Sequence, residues 1–198
     1  MRLAFLVWGL CVAAIAPVLA DYEGHQRSNR TLEGWPVDAF TLVDQHGKKF
    51  AQERLLGRWT FVLFGDTHCD QPCAAALAAL LGLSQRIART EAVLTTQVVF
   101  VSLDPKRDTP PRLREYLAPY DKHFIGATGS PQTLQRLADD MGIGDQIPRD
   151  PGPSNTGPRS YPGSLTLVGP DGFVRAEYLP PFDVPLLTAE YLKTRFRK

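Results

Sequence analysis

The chain has 198 residues, of which 43% are hydrophobic, 22% charged and 10% aromatic, with Gly and Pro scattered. This suits one globular domain and excludes collagen-like repetition, coiled coil and wholesale disorder. The 22 Lys+Arg against 21 Asp+Glu leave a formal charge of +1, without the clustered basic excess that marks a nucleic-acid surface.

At the N-terminus, Arg2 precedes an uncharged apolar run over residues 3–20 that ends in Val18-Leu19-Ala20 before Asp21. The pattern reads as a secretory signal peptide, with Pro17 and the lack of basic residues after Ala20 favouring cleavage. If retained, the run is nearly a membrane span and would anchor an exported, periplasm-facing domain. Loss of residues 1–20 removes Cys11 and leaves Cys69 and Cys73. An even pair in an oxidising compartment suits a disulfide or a metal site. Residues 21–34 are polar and aperiodic and read as a flexible arm, leaving 35–198 as the domain.

Residues 40–43 and 48–50 flank Asp44-Gln45-His46-Gly47, a hairpin with a polar turn in which His46 is a turn residue. The β-rich apolar runs 59–64 and 98–103 suit strands buried on both faces. Between them, residues 72–89 are rich in Ala and Leu at helical spacing. Strand, helix, strand is a βαβ unit with parallel strands. Thr109-Pro110 opens a helix that ends near Leu117, before Pro119. A short helix is predicted over 131–141, closed by Gly142. Residues 146–162 hold five prolines and two glycines and read as one long loop. Strands at 164–168 and 173–179 surround Pro170-Asp171-Gly172, and a last helix spans 185–196. The basic residues Arg195, Arg197 and Lys198 suit that helix's solvated C-terminal end. The order predicts an α/β domain, a thioredoxin-like fold with an added N-terminal β-hairpin.

The segment Phe64-Gly65-Asp66-Thr67-His68-Cys69-Asp70-Gln71-Pro72-Cys73 joins the first buried strand to the long helix. Sites in open α/β sheets form at such strand C-termini, and a helix N-terminus lowers the pKa of a thiol placed there. Cys69 and Cys73, four apart, share one face in helical geometry, so they can bridge each other or hold one soft metal. Two thiolates favour Cu(I) or zinc over hard cations, and zinc normally takes four ligands. A static disulfide across so short a loop would stabilise the fold little.

These residues carry a resemblance. The chain resembles the Sco/SenC family, thioredoxin-fold copper-handling proteins of cytochrome c oxidase assembly. Phe64-Gly65-Asp66-Thr67-His68-Cys69 to Cys73 is similar to the family's Phe-Gly-x-Thr-His-Cys-x-x-x-Cys. Ser102-Leu103-Asp104-Pro105-Lys106-Arg107-Asp108-Thr109-Pro110 resembles its Asp-Pro-x-Arg-Asp-Thr-Pro, and Thr128-Gly129 is a third, shorter match. The resemblance implies that Cys69 and Cys73 are both the metal-binding and the redox cysteines. It implies copper as the metal, of which two thiolates alone suit Cu(I), and as partner a copper oxidase subunit or another periplasmic thiol protein. It also implies a third ligand, a histidine, at a place that counts back to Tyr161 here; the last histidine of the chain is His123. Asp66 stands where the family has an uncharged residue, and the prolines that follow the family's cysteines are replaced by Asp70 and Ala74.

Several neighbours have alternative readings. His68 is a turn residue or, when protonated, a cation that favours the Cys69 thiolate; His123 is a candidate substitute ligand. Asp108 or Thr109 caps the helix opened by Pro110, Arg107 pairs with a nearby acid, and Asp104 faces the cysteine loop. Pro162 is the candidate for the cis-proline that thioredoxin-like proteins place opposite their cysteines. Two alternative activities follow. The first is a copper-independent thiol–disulfide oxidoreductase in which Cys69 attacks and Cys73 resolves. The second is a peroxidase, suggested by Thr67 and requiring an arginine near the thiolate.

Overall fold

A computed structural model describes residues 29–31, 34–144 and 163–196. Residues 1–20, read as a signal peptide, most of the residues read as a flexible arm, the proline-rich loop with Tyr161 and Pro162, and residues 197–198 lie outside the described residues.

Among the described residues eight strands form one sheet: β1 (Asn29–Thr31), β2 (Thr41–Asp44), β3 (Lys49–Ala51), β4 (Trp59–Gly65), β5 (Thr96–Ser102), β6 (Ile125–Thr128), β7 (Leu165–Val168) and β8 (Val174–Tyr178). Their order across the sheet is β1-β8-β7-β4-β5-β6-β2-β3. The central strands β4, β5 and β6 are parallel, and the flanking pairings β4–β7, β7–β8, β1–β8, β2–β6 and β2–β3 are antiparallel. Four helices cover the sheet among the described residues: α1 (Gln71–Ile87), α2 (Pro110–Leu117), α3 (Pro131–Asp140) and α4 (Val184–Phe196). This is the expected α/β architecture, with the β2–β3 hairpin as the N-terminal addition.

The side-chain alternation of β4 and β5 divides the interior into two cores. Phe61, Leu63, Val98 and Phe100 point to the face covered by α1, α2 and α4. Val62, Phe64, Val99 and Val101 point to the other, under α3 and the hairpin. Both faces are dry, which is why these strands read as unbroken apolar runs. α1 buries Cys73, Ala76, Leu77, Ala79, Leu80, Leu83 and Ile87. Its alanines let the helix lie close to the sheet, while each buried leucine contributes about 1.5–3 kcal/mol.

Three features depart from the sequence reading. Residues Asn29–Thr31, read as part of a flexible arm, form an edge strand on β8; main-chain pairing at an edge needs no apolar pattern. β6 is a strand that the sequence pattern does not signal. It is short, and it contains Gly126, where an added Cβ would lie 2.8 Å from Leu117 Cδ1 and 3.1 Å from Leu113 Cβ. Close packing of α2 thus demands glycine in the strand and weakens its β signal. Thr109 precedes α2 without a side-chain capping bond, and Asp108 is spent elsewhere. A cis peptide bond joins Pro180 to Pro181, between β8 and α4.

Candidate functional site

The parallel pairing places Gly65 opposite Ser102, so the loops that follow β4 and β5 lie side by side. The cysteine loop is therefore built on the Asp-Pro-Lys-Arg-Asp segment. Asp108 is the hub. Wholly buried, it accepts hydrogen bonds from Thr67 N–H (2.9 Å), Thr67 Oγ1 (2.7 Å) and Ser102 Oγ (2.5 Å). Three donors satisfy a carboxylate that burial alone would penalise. Asp108 is thus an anchor of the cysteine loop and not a cap of α2, which corrects the sequence expectation. Arg112, on the first turn of α2, donates from Nε to Thr67 Oγ1 at 3.2 Å; sequence alone could not place an arginine here. Arg107 pairs with Asp104 as expected. That hydrogen bond is the main cause of a raised guanidinium pKa, and the charges of Asp66 and Asp108 add to it.

Asp66 is buried and shapes the turn. Its Oδ1 accepts the His68 N–H at 2.8 Å, and its carbonyl accepts the Cys69 N–H at 3.0 Å. The His68 ring is about half exposed, with Nδ1 3.5 Å from Thr67 Oγ1 and 3.9 Å from Asp66 Oδ1. It belongs to the turn. Asp70 precedes α1 without a side-chain capping bond, and Pro72 occupies the first turn.

Cys69 and Cys73 are joined in a disulfide, with their Cα atoms 5.7 Å apart. The two sulfurs differ in access: Cys73 is wholly buried in the core under α1, while Cys69 is partly exposed at the loop. Gly65 makes room for Cys73, since a Cβ there would stand 2.6 Å from its Sγ and 3.1 Å from Phe100 Cε2. Gly163, two residues after Tyr161, lies against the same loop, where its Cβ would meet the Pro72 carbonyl at 2.9 Å. Tyr116 on α2 faces this cluster. Burial first, then Tyr120 and the charges of Asp66, Asp108 and Asp70, push its phenol up to about 12.

The other candidates are elsewhere. His123 precedes β6, and His46 sits in the β2–β3 turn. Both line a cavity with Thr96 and Val98, at the end of the sheet remote from Gly65. His123 is bound to Asp121 at 2.9 Å. It cannot substitute as a ligand beside the cysteines, which corrects that expectation. Among the described residues no group of three or more His, Cys, Asp or Glu side chains is arranged to hold a metal. The soft donors that the described residues bring together here are the two sulfurs. After reduction they fit a two-coordinate soft cation such as Cu(I) and leave a hard or four-coordinate cation unsatisfied.

The sequence pattern of the family described as SCO1/SenC matches residues 20–193. The chain belongs to the SCO1/SenC family. A Stutzerimonas stutzeri protein, provisionally named for copper binding, is 40% identical over 148 residues, covering 73% of this chain and 70% of its own. The mitochondrial Protein SCO2 of Saccharomyces cerevisiae is 30% identical over 133 residues, which is 67% of this chain but 44% of that protein. Among solved structures, Bradyrhizobium japonicum ScoI with copper bound is 26% identical with a TM-score of 0.62. The match covers 82% of this chain and all of that one (100%). BsSco, described as a member of the Sco family of cytochrome c oxidase assembly proteins with a disulfide switch, superposes with a TM-score of 0.67 at 22% identity, over 85% of this chain and 99% of that one. The thioredoxin-like fold of the SCO1/SenC proteins is therefore the fold of this chain.

Proposed function

We propose that this SCO1/SenC protein carries Cu(I) on the reduced Cys69–Cys73 pair and serves the assembly of a copper oxidase outside the cytoplasm. The observation that carries the reading is the cysteine loop itself. Two sulfurs converge at the head of α1, one open to a partner and one sheltered, on a platform anchored by Asp108. Copper is cargo in this reading: an external dithiol reductant is oxidised to its disulfide as it opens the Cys69–Cys73 bond, the two freed thiolates take the ion, and a thiol-rich acceptor displaces it by ligand exchange. The acceptor is a copper oxidase subunit or another exported thiol protein. Export, with residues 1–20 either cleaved as a signal peptide or retained as an anchor, belongs to the same proposal. Relatives named for copper binding and solved with copper support it.

A second reading is thiol–disulfide exchange without copper, and one observation favours it. The last histidine of the chain, His123, is at the far end of the sheet, and among the described residues no group of three or more His, Cys, Asp or Glu side chains is arranged to hold a metal. The Cys69 thiolate would attack a partner disulfide, forming a mixed disulfide and expelling one partner thiolate. The Cys73 thiolate would then attack Cys69 Sγ and expel the other, leaving this pair oxidised and the partner reduced by two electrons.

A Cu(I) competition titration of the reduced chain, beside a Cys69→Ser, Cys73→Ser variant, separates the two readings. One tightly bound Cu(I) per chain, lost in the variant, is expected. Equal binding by both would discard copper transfer through this pair and leave thiol–disulfide exchange.

A further inference from the structure

The end of the sheet remote from the disulfide carries a cavity of about 650 Å³. It lies among the β2–β3 turn, the last turn of α1, the start of β5 and the segment leading into β6. Its floor is apolar: Ile87, Val98 and Phe124 are almost fully buried. Val93 and Leu94 stand at its side, 38% and 73% exposed. Its rim is basic, formed by Arg54, Arg58 and Lys122 with the imidazoles of His46 and His123.

The charges on this rim are unbalanced in a specific way. Its two acids are already engaged. Asp44 Oδ1 accepts the N–H groups of His46 (2.8 Å) and Lys48 (2.9 Å). Asp121 Oδ1 accepts the His123 N–H and meets its Nδ1, both at 2.9 Å. Among the described residues Arg54, Arg58 and Lys122 form no ion pair; Arg54 lies over the Phe50 ring at 5.7 Å. The walls are also braced. Gln45 donates to the Phe124 carbonyl and accepts from Gly126 N–H, each at 2.9 Å. Gln97 donates to the Arg54 carbonyl at 2.8 Å and to Thr60 Oγ1 at 2.9 Å. A preformed concavity of this size, apolar inside with a few convergent polar groups, is the usual form of a small-ligand site.

We propose that this cavity binds a small amphiphilic anion, a phosphate or carboxylate head on an aliphatic or aromatic body. The head meets Arg58 and Lys122, and the body lies over Val98, Phe124 and Leu94. The site is distinct from the cysteine loop and does not depend on what that loop carries.

The test is a titration of the oxidised full chain with monomeric octyl phosphate, followed by amide ¹H–¹⁵N shifts. Saturable shifts are expected at Gln45, His46, Leu94, Gln97, Lys122 and His123, with Thr67, Cys69 and Cys73 unmoved. An Arg58→Glu, Lys122→Glu variant should bind about tenfold more weakly or worse, because two attractions become repulsions. A Lys106→Glu control at the opposite end should bind as the parent does. If the double reversal disturbs folding, Arg58→Gln, Lys122→Gln replaces it with the same expected direction. Equal affinity for octyl glucoside would overturn the anionic half of the proposal, and equal affinity for inorganic phosphate the apolar half. Shifts seen only with anionic vesicles, and not with the monomer, would overturn it in favour of a membrane contact.

Discussion

Gly65 occupies a position that no other side chain fits. An added Cβ would press on Cys73 Sγ and on the Phe100 ring, both in the dry core. Gly65→Ala should therefore cost about 1–3 kcal/mol, read as a lower urea midpoint at unchanged slope. Asp108→Ala strips acceptors from two Thr67 donors and from Ser102. A loss of about 3 kcal/mol or more is expected, together with faster hydrogen exchange at the Thr67 amide. Tyr116 should titrate near 12 in a 295 nm absorbance titration, and its pKa should fall in Asp66→Asn, which removes a like charge. Because the folded state holds this proton to higher pH than the unfolded chain does, the associated stability is full below the ordinary tyrosine range. It is lost as pH rises through about 12. At this scale the cysteines were legible because their spacing and their place after an apolar run are local signals. Asp108 was misassigned and Arg112 missed because their partner Thr67 is about 40 residues away and is reached only through the β4–β5 pairing.

At the scale of elements, helix starts were the easiest to read. Pro110 and Pro131 both stand at the first turn of their helices. The two caps differ, however. Ser130 Oγ accepts the Thr133 N–H at 3.2 Å, whereas Thr109 makes no capping bond. Ser130→Ala should thus cost about 1 kcal/mol in thermal unfolding, and Thr109→Ala distinctly less. β4 and β5 could be read from composition because they are buried on both faces. β6 and β1 could not, one because a helix crowds it into using glycine, the other because an edge strand can be polar throughout.

For the whole molecule, the disulfide closes too short a loop to govern stability. Chain entropy assigns it about 2 kcal/mol, against two cores that run the length of the sheet. Reduction should lower the unfolding free energy by no more than that, measured by urea titration with and without dithiothreitol. The fold then survives opening of the pair. The two ends of the sheet also divide the chemistry, with sulfur and buried acids at one and, among the described residues, cations without ion pairs at the other.

The direction of β1 has a consequence for reach. Asn29 pairs with Tyr178, which pairs with Leu165 and through it with Leu63, near the cysteine end of β4; Thr31 lies farther from that end, level with Phe61. The chain therefore enters the domain from the side of the disulfide. If residues 3–20 stay in a bilayer, the eight residues 21–28 can span at most about 30 Å. Cys69 would then patrol a thin layer above the membrane. A membrane-bound acceptor would meet it at millimolar effective concentration, so that modest affinity between the two would suffice for transfer.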